Sequence, residues 1–150
     1  MIHEAGSELK GKIAIVTGAG RMRGIGRGTA TVLARMGAHV VVTGTGRDPA
    51  SYPQDEKDVG WRDIHSTAEQ IEAFGVRSLP LVSNVADQDD VQRMVDVTVA
   101  EFGRLDIIVN NAAAPYGNDR VSVMDMQSDV FKSIVDVKLM GTFYACKAAA

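Results

Sequence analysis

Short apolar runs alternate with amphipathic stretches down this chain, and a glycine sits at many of the joints. Residues 12–17 read as a first strand, an apolar run bounded by glycines. Residues 24–36 show helical spacing, with Ile25, Thr29, Val32, Leu33 and Met36 on one face and Gly37 as the stop. The β-branched run at 39–43 predicts a buried second strand. From 44 to 58 the stretch is polar, holds Pro49 and Pro53, and is too broken for helix or strand. Helical spacing returns at 59–74, with Ile64, Ala68 and Ile71 inward and Gly75 at its end. Residues 76–82 form a third strand. Asp87 then reads as an N-cap, with Asp89 and Asp90 favourable in the first helical turn. Val91, Met94, Val95, Thr98 and Phe102 make the inward face of that helix, which stops at Gly103. Residues 105–110 are a fourth strand, a loop with Pro115 and Gly117 follows, and helical sequence runs from 125 to the end.

Regular alternation of this kind predicts an α/β fold, a doubly wound parallel sheet in the order 3-2-1-4 with right-handed crossovers. The 150 residues have the length of one domain and show no internal repeat. The last residues, Cys146 to Ala150, are strong helix formers with no stop signal. The order also leaves the apolar fourth strand on an open edge, which invites aggregation. The expectation is therefore the first part of a longer protein, with the remainder of its domain outside this chain.

Composition narrows the function classes. Apolar content of 45% with 23% charged residues describes a globular protein. A net charge of -3 with no basic stripe argues against nucleic acid as the partner. The single Cys146 excludes an internal disulfide framework and fits a reducing cytoplasm. No apolar run approaches the ~20 residues needed to cross a bilayer, so no membrane role is expected. Residues 1–8 are too polar for a signal peptide and read as a short flexible lead-in. His3, His39 and His65 show no metal-ligand spacing with one another or with Cys146, so no metal is assigned. Trp61 and the methionines read as packing residues.

The chemistry lies after the first strand, in Thr17-Gly18-Ala19-Gly20-Arg21-Met22-Arg23-Gly24-Ile25-Gly26. Glycines permit positive φ and remove Cβ atoms that would block a phosphate. The helix that follows offers unpaired N–H groups and a positive dipole end to an anion. A plain strand–helix connector is the bland alternative.

Read with Asn110-Asn111-Ala112-Ala113, this turn makes the chain resemble the N-terminal portion of the short-chain dehydrogenase/reductase family. Residues 9–18 are similar to its opening strand, and Asn110 to Ala113 match its Asn-Asn-Ala-Gly motif except at the last position. Residues 136–143 resemble its central helix. The resemblance implies a Rossmann-type fold that binds NAD or NADP, and hydride transfer between the nicotinamide and an alcohol or ketone. It also implies a Tyr-x-x-x-Lys pair and an upstream serine for proton transfer. Tyr52, Tyr116 and Tyr144 have no lysine four residues on, so this chain by itself is expected to bind cofactor without turning over substrate. Homo-oligomers, as dimer or tetramer, are a further expectation by resemblance.

The candidate cofactor residues begin with the turn: Gly18, Gly20, Arg21, Arg23, Gly24, Ile25 and Gly26. Five residues separate Gly18 from Gly24 where the family has three, which reads as a two-residue insertion; a register through Gly20 is the alternative. At the end of strand two, NAD enzymes place an acid for the adenosine ribose about 20 residues past the glycines. Gly44 stands there, followed by Thr45 and Arg47. Thr45, Arg47 and Arg23 would suit a 2′-phosphate, so the preference is NADP, with NAD as the alternative. Solvated loop arginines are the bland reading, and Asp48 folding back to the ribose is another. The stretch 49–60 shapes the cofactor entrance or, as the simpler reading, is surface decoration.

Asn84 and Val85 follow strand three where the family often has Asp-Val at the adenine. For Asn84 the competing reading is a turn residue capping the next helix. Asn111, Ala112 and Ala113 end strand four at the ligand edge of the sheet, while Asn110 reads as a strand tie. Lys138 takes the place of the family's relay asparagine; a modified relay, weakened chemistry and a shifted register all remain open. Two rivals to the oxidoreductase are a non-catalytic dinucleotide-binding regulatory module and an S-adenosylmethionine methyltransferase, the latter cued by Ala114-Pro115-Tyr116.

Overall fold

The computed structural model describes residues 6–114, 117 and 119–150. Most of the expected lead-in therefore lies outside the described residues, as do Pro115 and Tyr116. A four-stranded parallel sheet forms from β1 (Ile13–Val16), β2 (His39–Gly44), β3 (Ser78–Val82) and β4 (Ile107–Val109), ordered β3-β2-β1-β4 as expected. Ala14 is the register point, opposite Val40 on one side and Ile107 on the other. Among the described residues β3 has only β2 beside it, and Pro80 fits there because a missing ladder donor is tolerated at an edge.

Strand alternation divides the core into two layers. Val16, Val40 and Val42 face α1 (Ile25–Arg35) and α3 (Ile64–Glu72), burying Ala30, Ala34, Ile64, Ala68 and Ile71. Ile15 and Val41 face the other way, toward Val91, Met94 and Val95 of α4 (Gln88–Phe102) and Ala145 of α6 (Gly141–Ala149). The Asp87 cap is as expected: its carboxylate accepts from the Asp89 and Asp90 N–H groups, and Gly103 ends α4 at φ 81°.

Three expectations need correction. The inward face of α1 is Gly26, Ala30 and Ala34, while Ile25 and Val32 are 81% and 52% exposed. The reason is steric: a Cβ at Gly26 would lie 2.4 Å from Asn111 Nδ2 and 2.6 Å from the Gly18 carbonyl oxygen, so only small residues fit that side. Second, the broken stretch after β2 is structured. It forms a 3-10 turn at Pro49–Ser51, capped by Asp48, and the short α2 (Gln54–Asp58). Helix α3 begins at Ile64 because Asp63 turns the chain at φ 55°, ψ −131°. Third, the terminal helical run is α5 (Ser128–Val135), a π-helical turn at Asp136–Met140, and α6. Among the described residues no helix is long and apolar enough to cross a membrane.

Asp106 ties β4 to the start of β1. Its carboxylate accepts from the Ile13 N–H at 2.9 Å and pairs with Lys12 and Arg104. The Arg104 bond foremost, with the Ile13 N–H, holds its pKa at about 2, below the ordinary 3.8. The folded-state pKa is depressed, so this contribution is complete above pH 3.8 and disappears as pH falls toward 2. Asp106→Asn should therefore be less stable than the parent at pH 7, with the gap closing over that acid window in urea titrations. On α1, Ala30→Leu should cost about 1–3 kcal/mol by overpacking, whereas Val32→Ser should stay within about 0.5 kcal/mol. Equal costs at the two positions would contradict the inward face described above.

Candidate functional site

The carboxyl ends of β1, β2, β3 and β4 open onto one cavity of about 700 Å³. That volume lies within the range of small-molecule and cofactor sites, about 300–1,000 Å³. Of the cofactor residues chosen from sequence, all but Gly26 line it. Gly26 serves packing, as its contact with Gly18 shows. Val137 lines the cavity, whereas Lys138 is exposed on the π-helical turn.

The floor is built by close backbone approach. Gly18 adopts φ 68°, and a Cβ there would lie 2.7 Å from the Ala112 Cα. Asn111 fastens the crossing: its Nδ2 donates to the carbonyls of Thr17 and Gly18 at 2.8 and 3.0 Å. Thr17 Oγ1 accepts from the N–H groups of Asn111 and Ala112, each at 3.1 Å. The strand tie expected of Asn110 thus belongs to Asn111, while Asn110 Nδ2 reaches Cys146 Sγ on α6. Asn84 Oδ1 accepts from the Ala86 N–H, so its turn-forming role is realised even as the residue borders the cavity.

At the start of α1, Gly24 caps the helix with no side-chain bond, and the first turn carries no acid. Among the described residues, neither a capping side chain nor an acid of that turn competes with an incoming anion for the helix N–H groups. Ile25 stands exposed beside this end. Thr43 Oγ1, Asp63 Oδ2 and Ser83 Oγ, all on cavity-lining residues, are buried without partners among the described residues. Buried polar atoms ordinarily find partners, so these three read as groups waiting for a ligand. Glycine cradle, open helix end and orphaned oxygens together fit a nucleotide with a diphosphate.

The segment after β2 is part of the site wall, so of the two readings of 49–60 the simpler one, surface decoration, gives way to the cofactor entrance. Trp61 Nε1 donates to the Gly20 carbonyl at 2.6 Å, and Thr67 Oγ1 to that of Ala19 at 2.8 Å. Glu56 Oε1 accepts from the Met22 N–H at 2.8 Å, and Arg27 Nη1 donates to the Met22 carbonyl. The stretch of the glycine turn from Ala19 to Met22 is thereby held down. Arg47 lies between two buried carboxylates: Nη2 is 2.8 Å from Asp63 Oδ1 and Nη1 is 3.1 Å from Glu56 Oε2. Burial alone would lower its pKa, but the bonds to Asp63 and then Glu56 outweigh it, so the net shift is upward. The guanidinium also stacks 4.6 Å over Tyr52, whose phenol pKa burial raises. Asp63 and Glu56 escaped notice in the sequence because isolated acids in a polar stretch look like solvated ones. The one available signal was Trp61, since a tryptophan in such a stretch needs somewhere to bury its ring.

The model of the short chain dehydrogenase family matches residues 12–150. The chain is 38% identical over 140 residues to the short chain dehydrogenase/reductase astE of Aspergillus oryzae, covering 93% of this chain and 47% of the relative. Its structure is similar to carveol dehydrogenase from Mycobacterium avium in complex with NAD, with TM-score 0.76, 28% identity, and 95% and 49% of the two chains covered. It is likewise similar to a short chain dehydrogenase from Burkholderia cenocepacia in complex with NADP, with TM-score 0.75, 32% identity, and 95% and 51% covered. The chain spans about half the length of the curated relatives it matches.

The packing of the segment after β2 against the turn is open to test. Trp61→Phe keeps an aromatic ring but removes the donor to Gly20, and should cost about 1–2 kcal/mol in urea unfolding followed by circular dichroism. An unchanged midpoint would mean that this bond does not hold the turn.

Proposed function

The chain belongs to the short-chain dehydrogenase/reductase family, and from that premise we propose that its cavity seats the nicotinamide dinucleotide of an oxidoreductase acting on an alcohol or ketone. The observation that carries this is the cradle itself, where Gly18 meets Ala112 backbone to backbone beneath an uncapped helix end. Backbone N–H groups of the turn and of the first turn of α1 would hold the diphosphate. Asn84, Val85 and the buried Ser83 hydroxyl border the part of the cavity between β3 and α4, suited to the adenine. Asn111 keeps the turn shut against β4 and so positions the diphosphate seat. Ala112 and Ala113 border the nicotinamide side. The bound nicotinamide supplies the carbon that gives or takes hydride.

Proton transfer belongs to the Tyr-x-x-x-Lys pair and serine that family members carry, which this sequence does not contain. The relay position remains with Lys138, next to the cavity-lining Val137. Its place in a π-helical turn supports that assignment, since such turns frequently mark functional sites. We take residues 12–150 as the nucleotide-binding part of one Rossmann domain in a cytoplasmic enzyme that forms homo-oligomers. Exposed Phe131, Leu139 and Phe143 along the terminal helical run support self-association. The family match does not favour the methyltransferase alternative. Nor does the family match favour the non-catalytic regulatory module, whose motive is Lys138 and the Tyr-x-x-x-Lys pair not found in this sequence.

Trp61, the sole tryptophan, sits against the turn and provides a local probe. Titration with NADH or NADPH should quench its emission saturably, with Kd in the micromolar range. Gly18→Val should abolish that binding, because the side chain is disfavoured at positive φ and enters Ala112. Saturable quenching by S-adenosylmethionine, with neither dinucleotide bound, would overturn the reading.

A further inference from the structure

The wall segment that follows β2 carries a consequence for which dinucleotide the cavity accepts, and the inference rests on the dinucleotide-binding reading above. Gly44 leaves the end of β2 without an acid, yet a carboxylate is there in space. The Asp63 side chain folds back so that a Cβ on Gly44 would be 3.5 Å from its Oδ2, and a Cβ on Gly20 would be 1.9 Å from its Oδ1. Asp63 is 5% exposed and borders the cavity. Its Oδ1 takes both Arg47 Nε and Nη2, at 3.0 and 2.8 Å, while Oδ2 is buried with no partner among the described residues. The residue holds this place at a backbone conformation, φ 55° and ψ −131°, that non-glycine residues rarely adopt.

Arg47, the arginine just past β2 that would favour a 2′-phosphate, is already engaged. Arg47 is flanked by Asp63 and by Glu56, itself 3% exposed, so the buried cluster holds two carboxylates for one guanidinium. Drawing Arg47 onto a phosphate would leave Asp63 buried without a partner and Glu56 without its counter-charge, which is strongly unfavourable. Arg23 pairs with Asp55 at 2.8 Å. Arg21 lies within the glycine turn, its carbonyl accepting from the Gly24 N–H. A ribose hydroxyl can donate to the free Asp63 oxygen, whereas a phosphate dianion has no proton to give and meets like charge.

We propose that Asp63, backed by Glu56 and Arg47, is the acid of the adenosine end and makes this cavity select the free ribose of NAD(H) over the 2′-phosphate of NADP(H). This reverses the preference read from Gly44, Thr45 and Arg47 in the sequence. The acid arrives from a later segment, past the strand end where such a residue is sought.

The test is a pair of binding titrations on the protein, NADH against NADPH by Trp61 quenching, repeated with 5′-ADP against 2′,5′-ADP by calorimetry. The 2′-hydroxyl ligand of each pair should bind at least about tenfold tighter. Asp63→Asn, which keeps size and removes charge, should bring the NADH-to-NADPH ratio about tenfold closer to unity. Its thermal unfolding, followed in parallel, shows whether the variant is folded at the titration temperature. NADPH binding as tightly as NADH in the parent would overturn the inference while leaving the proposed function intact. An unchanged ratio in a folded Asp63→Asn protein would overturn it as well. Failure of both dinucleotides to bind would remove the proposed function itself, and this inference with it.

Discussion

A long glycine-rich turn needs an external grip, and here most of the grip comes from the chain that follows β2. The turn's carbonyls at Ala19, Gly20 and Met22 and its N–H at Met22 all find side chains from elsewhere: Thr67, Trp61, Arg27 and Glu56. Backbone groups left without partners in a partly buried loop would be costly. Glycine is conformationally loose, so a turn this rich in it takes a fixed shape only when its surroundings impose one. The site's geometry is therefore a property of two sequence-distant segments together. Asn111 closes the same turn from the β4 side, so it is clamped on both flanks.

That mutual dependence links fold to chemistry. The parallel sheet brings four strand ends to one edge, where ligands of open α/β sheets gather. Small residues on α1 let the helix approach the sheet, and the approach presents its uncapped N-terminus to the cavity. The same wall segment that steadies the turn delivers Glu56 and Asp63 to the adenosine end. Electrostatics at that end follow from how the turn is braced, since Glu56 binds both the Met22 N–H and Arg47.

Much of the architecture was legible because it rests on periodicity. The inward faces of α3 and α4 came from spacing, the Asp87 cap and the Gly103 stop from residue preferences at helix ends, and the strand order from strand–helix alternation read as a doubly wound sheet. The α1 face did not, because its buried stripe consists of glycine and alanine, and hydrophobic spacing drew attention to the larger Ile25 and Val32. The glycine turn was readable as cavity lining because close backbone approach demands residues without a Cβ, and Asn111 to Ala113 through their likeness to the family motif at the ligand edge of the sheet. Asp63 was not, since its role depends on a chain reversal at positive φ that no local residue preference announces. Tertiary packing likewise gave 49–60 a structure that its prolines and charges concealed.

The most direct measurement is a crystal structure of the protein grown with millimolar NAD. The account predicts the diphosphate against the turn from Gly18 to Gly24 at the α1 N-terminus, with the adenosine ribose hydroxyls beside Asp63. A turn empty of nucleotide at that concentration, or a nucleotide bound elsewhere on the molecule, would contradict it.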